Sequence, residues 1–475
     1  MVGAAIIVAY YAAWSIYSRS YFISDIPGDK ITHINYAFAN IDSDGRIILG
    51  DSWADVEKAY LGDTWEQSLR GNFNQLLKLK QKYPHIRTSI SIGGWTWSGK
   101  FSDIAVNIEN RNKFAQSCVE FIRKYGFDGV DIDWEYPISG GLPGNIQRPE
   151  DKQNYVLLLK ELRQQLDEAG AVDEKTYLLT IAAGSSPERI ADMDLPNMST
   201  YLDWINVMTY DFHGGWEAKT GHNAPLFKNN AETTTDVPPS FIKSKYNCHE
   251  AIQDYLAAGI PRSKLVMGLG LYGRGWQGVN STNLNGFSQP ASTELPTGTW
   301  ENGVFDYDHL KKSYIPTYIR HWDNESKVPF LYNSITGIWI SYDDRQSIRI
   351  KSDYIKREKL AGAMFWELST NRNYELIHVT FKTLNNDMPA LSESNPPIES
   401  ISSTIEADSI NSTSIVSITS TEELNSNNNS FWEIHKDYKV DDRVTFENQT
   451  YQCIIAHKSS SHWTPFTITA LWQPV

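Results

Sequence analysis

Cysteine is scarce in this chain of 475 residues. The three present, Cys118, Cys248 and Cys453, stand far apart and form no CxxC pair, so neither a zinc ribbon nor a disulfide framework organises the fold. Long apolar runs are missing too. The best candidate, Ala4 to Trp14, falls short of the roughly 20 residues that cross a bilayer, and it lacks a basic leader and a cleavage site. It reads as a first buried strand, and no signal peptide is visible. Positive charge is in deficit, with 43 Lys and Arg against 57 Asp and Glu and a net charge of −14. Such a surface repels nucleic acid and anionic membranes and suits a neutral partner. Between 385 and 430 basic residues vanish altogether, leaving Ser, Thr, Asn, Ile and seven acids that carry half of the net charge. Self-repulsion predicts an extended acidic linker there.

On either side of that linker the composition is that of folded protein, with 41% hydrophobic and 21% charged residues in the whole chain. The length exceeds what one core sustains, so a large body (1–384) and a small tail (431–475) are expected. Within the body, apolar runs of strand length alternate with amphipathic stretches such as Leu158, Leu162 and Leu166. The runs fall at 4–10, 33–38, 88–94, 129–134, 177–183, 204–210, 264–272 and 361–366. Near-continuous apolar strands separated by helices indicate a parallel sheet covered on its outer face, and eight of them close a (β/α)8 barrel; a doubly wound open sheet is the alternative. The seventh and eighth runs lie too far apart for one helix and loop. Strand-like patches among Trp276, Trp300, Trp322 and Trp339 predict an α+β insertion over 276–357.

The fourth run continues as DGVDIDWEYP, Asp128 to Pro137. On a strand alternate side chains share a face, so Asp131, Asp133 and Glu135 point one way and Val130, Ile132 and Trp134 the other. Neighbouring acids about 6.6 Å apart along an otherwise apolar strand cannot all ionise cheaply. A raised pKa on the outermost, Glu135, is what a general acid at neutral pH needs. A merely solvated charged face conflicts with the apolar strand. A divalent metal site is disfavoured, because no His or further carboxylate cluster converges from neighbouring strand ends, and no cofactor is implied.

DGVDIDWEYP resembles the DxxDxDxE signature of family 18 chitinases. Other strand ends agree in order: Ser91-Ile92-Gly93-Gly94-Trp95, Met208-Thr209-Tyr210-Asp211, Tyr272-Gly273-Arg274 and Met364-Phe365-Trp366. The resemblance covers residues 4–384 and extends to the deep-cleft subgroup with an inserted α+β domain. It implies substrate-assisted, retaining hydrolysis of chitin, an exception to the two-carboxylate scheme. Glu135 would be the general acid and then the base. Asp133 would hold the acetamido group of the sugar at subsite −1, Asp131 would share a proton with Asp133, and Tyr210 would bind the acetamido group from the opposite side. Trp366 would floor subsite −1, with Met208 on the same strand face as Tyr210, and Tyr10 and Phe38 would wall the acetamido pocket. Trp95 would stack at +1. Asp211 and Arg274 match substrate-binding positions, a structural salt bridge being their alternative role, and Ser91 would support Asp131 or Asp133.

The tail alternates in Arg443 to Cys453, predicting two strands that turn near Asn448. Trp432, Tyr438, Val444, Tyr451, Trp463-Thr464-Pro465 and Leu471-Trp472 resemble chitin-binding modules of carbohydrate-binding families 5 and 12, with Trp463 the expected exposed stacker. The implied protein is a secreted, monomeric chitinase whose partners are chitin and chitooligosaccharides. An endo-β-N-acetylglucosaminidase on N-glycans and a non-catalytic chitin lectin are the alternatives; the tail argues against the first and Glu135 against the second.

Overall fold

The computed structural model describes residues 5–64, 66–232, 244–280 and 282–385, with short strands of the tail between 430 and 474. Eight parallel strands close on themselves: β1 (Ile6–Ala12), β2 (His33–Ile41), β3 (Arg87–Gly93), β4 (Gly129–Asp133), β5 (Leu178–Gly184), β6 (Trp204–Met208), β7 (Leu265–Gly270) and β8 (Gly362–Trp366). Each pairs with the next, and β8 returns to β1. The expected barrel is therefore present. Alternation divides its apolar residues into two cores. Outward side chains such as Ile7, Ile34, Ile90, Ile132, Ile181 and Phe365 join the large cluster under the helices, whereas inward Val8, Tyr10, Trp204, Val266 and Met364 form a smaller one inside the wall.

The outer helices are α1 (Gly71–Lys82), α2 (Ile108–Tyr125), α3 (Asp151–Asp173), the short α4 (Pro187–Ala191), α5 (Cys248–Ala257), α6 (Arg345–Arg357) and α7 (Glu375–Leu384). Local chemistry sets their ends. Asn107 caps α2 by accepting from Asn110 N–H, and Gly126 closes it in the left-handed conformation. Asp344 and Ser347 form a reciprocal cap on α6.

The insertion differs from its expected limits at both ends. Its antiparallel sheet begins with Tyr272–Trp276, which follows β7 directly and pairs with Val304–Asp306 and Ile338–Ser341; Val328–Asn333 and Ile319–Asp323 complete it. Tyr272 and Arg274 thus belong to this sheet. Residues 345–357 form α6, which packs on α7 and β8 as part of the barrel's outer ring. Periodicity had no means of separating the two layers, because both bury aromatic and aliphatic residues. Trp276, Phe287, Phe330 and Trp339 fill the insertion's own core. In the tail, Arg443–Phe446 and Gln449–Cys453 pair antiparallel with Phe446 opposite Gln449, as the alternation predicts, between strands at Ser430–Phe431 and Trp472–Pro474. Trp463 and the expected linker, apart from Asn385 and Ser430, lie outside the described residues. Among the described residues no helix is long and apolar enough to cross a membrane.

Candidate active site

Asp131 and Asp133 lie on the inward face of β4 and are almost wholly buried. Asp131 sits in a ring of donors from four other strands. The hydroxyls of Tyr10 (2.7 Å) and Ser91 (2.8 Å) reach its Oδ2, and Thr180 Oγ1 (2.6 Å) and Asn206 Nδ2 (3.2 Å) reach its Oδ1. The Asn206 amide has a fixed sense, because its Oδ1 accepts from the Trp204 indole at 3.0 Å and its NH2 must therefore face Asp131. Burial pushes the Asp131 carboxyl up, and the four donors oppose that push. A carboxylate with every lone-pair direction met by a donor is the form these partners favour.

Asp133 is the reverse case. Its Oδ1 finds no hydrogen-bond partner among the described residues. Burial first, then the charges of Glu135 and Asp131, push its pKa well above the usual carboxylate range. Alternation put Glu135 on the strand face of the two aspartates, but β4 stops at Asp133 and Glu135 lies two residues beyond it, partly exposed. Its main chain is pinned from two sides: its N–H donates to Ser98 Oγ at 2.8 Å, and Asn145 Nδ2 donates to its carbonyl at 3.1 Å. Burial raises its carboxyl to about 7; the Tyr136 hydroxyl opposes the rise and Asp211 adds to it. The trio is thus graded from a carboxyl ringed by donors deep in the barrel, through a buried one with an oxygen unpartnered, to a proton donor near neutrality at the mouth.

Aromatic rings and polar strand ends surround the acids. Trp366 ends β8, with Tyr10 at 5.4 Å and Phe38 at 5.8 Å between centroids, the latter stacked. Tyr210, two residues past β6, is buried, and its hydroxyl points to Met364 Sδ at 3.7 Å. Asp133 and Glu135 both bear on its phenol and, after burial, raise its pKa. Met208 ends β6 half-buried. Trp95 stands half-exposed in the turn after β3. Asp211 accepts from Tyr272 Oη (2.6 Å) and Arg274 Nε (2.8 Å), so these two polar residues do form an ion pair across the mouth. Arg274 also lies over Trp216, 5.1 Å from the ring centroid.

Sequence reasoning passed over Thr180, Asn206, Ser98, Tyr136 and Asn145. Thr180 in YLLTIAA and Asn206 in WINVMTY are lone polar residues at inward positions of apolar strands, a signal as readable as the acids themselves. It also passed over Trp14, Tyr17, Trp53, Trp216 and Trp300, which are exposed despite their size. Trp14 stacks on Phe38 at 6.2 Å and so continues the line of rings from Trp366.

Acids at the C-terminal end of β4 stand where barrels of this kind place their chemistry. The profile of Glycosyl hydrolases family 18 matches residues 6–371, and the chain belongs to that family. Residues 431–473 match carbohydrate-binding module family 5/12. The chain is 47% identical to Chitinase A1 of Niallia circulans over 416 residues, covering 81% of this chain and 58% of that protein. It is 36% identical to Endochitinase 1 of Metarhizium robertsii over 375 residues, 78% of this chain and 82% of that one. Among solved structures, Chitinase ChiA74 from Bacillus thuringiensis matches with a TM-score of 0.76 and 41% identity over 82% of this chain and 71% of its own. The catalytic domain of chitinase B from Arthrobacter TAD20 matches at 0.75 and 34%, covering 81% and 96%.

Proposed function

We infer that the protein is a chitinase that cleaves β-1,4 bonds between N-acetylglucosamine units with retention, using the substrate's own acetamido group as nucleophile. The observation that carries this reading is the gradation of the acids. Glu135, near neutrality at the mouth, holds the proton that a leaving glycosidic oxygen needs. Asp133, with one oxygen unpartnered, can accept an acetamido N–H and then stabilise the oxazolinium ion. Asp131, fixed by four donors, stays in place while Asp133 turns. In the first half, Glu135 protonates the leaving oxygen as the acetamido oxygen closes on the anomeric carbon. In the second, the Glu135 carboxylate takes a proton from the incoming water, which opens the ring and restores the β configuration. Tyr210 holds the acetamido group opposite Asp133, Trp366 floors the sugar within the wall of Tyr10, Phe38 and Met208, Trp95 stacks on the +1 sugar, and Asp211 and Arg274 bind at the rim. The names of the relatives support chitin as substrate. The tail, through Trp463, would hold the enzyme on solid chitin, and the same reading makes the protein secreted and monomeric.

Glu135→Gln keeps the shape and loses the proton, so hydrolysis of chitotetraose should fall by more than about a hundredfold while oligosaccharide binding persists. Near wild-type turnover would overturn the assignment. Anomer-resolved analysis of chitohexaose cleavage should give an initial β product, and Asp133→Asn should be severely impaired. Efficient cleavage of cellohexaose or fully deacetylated chitosan, or an initial α product, would remove the substrate nucleophile from the mechanism.

A further inference from the structure

Arg189 lies on α4, one strand away from the acids, yet it reaches the loop that carries Glu135. Its guanidinium sits over the Tyr136 ring, 5.1 Å from the centroid. Its Nη1 donates to the Ser139 carbonyl and hydroxyl and pairs with Asp192 at 3.2 Å. The backbone on both sides is bare where it passes. A Cβ on Gly140 would meet Arg189 Nη2 at 2.8 Å, and one on Gly184, at the end of β5, would meet the Arg189 Cβ at 2.7 Å and the Tyr136 ring at 3.2 Å. The arginine and the tyrosine therefore fill one slot between the β4 loop and the end of β5. Tyr136 is the next residue after Glu135, and its phenol and the Glu135 carboxyl bear on each other's proton affinity.

We propose that Arg189 is a positioning residue for the general acid: it clamps the Tyr136 ring so that the phenol donates to the Glu135 carboxyl, and it thereby sets the pH at which that carboxyl gives up its proton. The proposal rests on reading Glu135 as the general acid. A cation over the ring face draws electron density from the phenol and strengthens its O–H as a donor, and donation to a carboxylate favours the charged form. The other titratable groups facing Glu135 are Asp133 and, below it, Asp131 on β4, Asp211 beyond β6, which is paired with Arg274, and the Tyr210 phenol. Asp211 and burial disfavour ionised Glu135, so the Tyr136 contact is the influence that keeps its proton removable. Around Arg189 itself stand Asp192 and the neighbouring Glu188, which engages the Tyr246 hydroxyl.

The test is the pH profile of kcat/KM on chitotetraose, with the full chain, for wild type, Arg189→Met, Arg189→Lys, Tyr136→Phe and Arg189→Met combined with Tyr136→Phe. Calorimetry checks that each variant is folded. Removing the cation weakens the help given to ionised Glu135, so its pKa rises. Arg189→Met should move the alkaline limb upward by about half a pH unit and lower kcat by about threefold or more. Arg189→Lys, which keeps the charge, should recover at least half of the shift. Tyr136→Phe should move the limb in the same direction, and Arg189→Met should add no further shift in that background. Should Arg189→Met fail to fold, Arg189→Gln keeps a donor for Ser139, loses only the charge and must move the limb upward. A folded Arg189→Met or Arg189→Gln with an unmoved limb, or an equal shift with Tyr136 absent, overturns the proposal. If Glu135→Gln itself retains turnover, the reading of Glu135 falls instead; if Glu135→Gln is inactive and the limb stays put, only the role of Arg189 falls.

Discussion

Asp131, Asp133 and Glu135 have the same kind of side chain at the same spacing, and their surroundings separate them. Four donors hold Asp131, none reaches one oxygen of Asp133, and Glu135 lies at the rim with a pKa of about 7. In the role proposed for it Glu135 must be protonated, so kcat/KM on chitotetraose should fall on the alkaline side with a midpoint near that value. The same shift bears on stability. The folded state binds a proton more tightly than the unfolded chain, so the contribution of Glu135 is fully present below its ordinary pKa of 4.5 and is lost as pH rises through about 7. Glu135→Gln should therefore raise the Tm at pH 8 and leave it unchanged at pH 4, as calorimetry at both values would show. At Thr180, removing one donor to the buried Asp131 costs about 1–3 kcal/mol, because a buried acceptor loses a partner. Thr180→Val should lower kcat about tenfold or more, and Thr180→Ser should restore most of it.

At the scale of elements, the barrel wall is rigid and the turns after β3 and β4 aim the chemistry. Ser98 joins them. Its Oγ accepts from Glu135 N–H at 2.8 Å and lies 3.0 Å from the Asp133 carbonyl and 2.8 Å from that of Gly94. Glu135 is thus fixed by an element other than its own strand. Ser98→Ala leaves the Glu135 N–H without its acceptor and frees the mouth of β4 to shift, and misplaced catalytic groups lose rate steeply. The expected result is a fall in kcat of about tenfold with KM within about twofold, measured on chitotetraose, because Tyr10, Phe38 and Trp366, the rings read as walling subsite −1, stand on other strands. A change confined to KM would show that Ser98 serves binding instead.

For the whole molecule, a neutral solid substrate makes attachment matter more than steering by charge. The tail is tethered through a stretch of some 45 residues that is devoid of Lys and Arg, and tethering raises the local concentration of the barrel at a surface without altering encounters with dissolved substrate. Trp463→Ala should therefore weaken adsorption to crystalline chitin and leave turnover of soluble oligosaccharides unchanged. Adsorption of the wild type should survive high salt, since stacking on sugar faces carries the contact. NMR of the variant checks that the module remains folded. Undiminished adsorption by a folded Trp463→Ala would pass the role to another aromatic, with Tyr438 next to be tested.

Strand alternation is a local property, and so the eight apolar runs, the shared face of Asp131 and Asp133 and the paired strands at 443–446 and 449–453 were all legible in the sequence. Closure of the barrel is not local. Only the folded chain brings Tyr10, Ser91, Thr180 and Asn206, which lie 40 to 121 residues from Asp131, around one carboxyl. Those contacts oppose the upward push that burial gives the Asp131 carboxyl. Tertiary structure likewise assigned Tyr272 to the insertion and 345–357 to the barrel, because strands and helices of both layers carry the same apolar pattern and only their packing partners differ. It also set Arg189 over Tyr136, through a slot that exists because Gly140 and Gly184 have no side chains to fill it. The sequence by itself determined which residues could do the chemistry; the environment that shifts their proton affinities arises only when distant strands meet and exclude water.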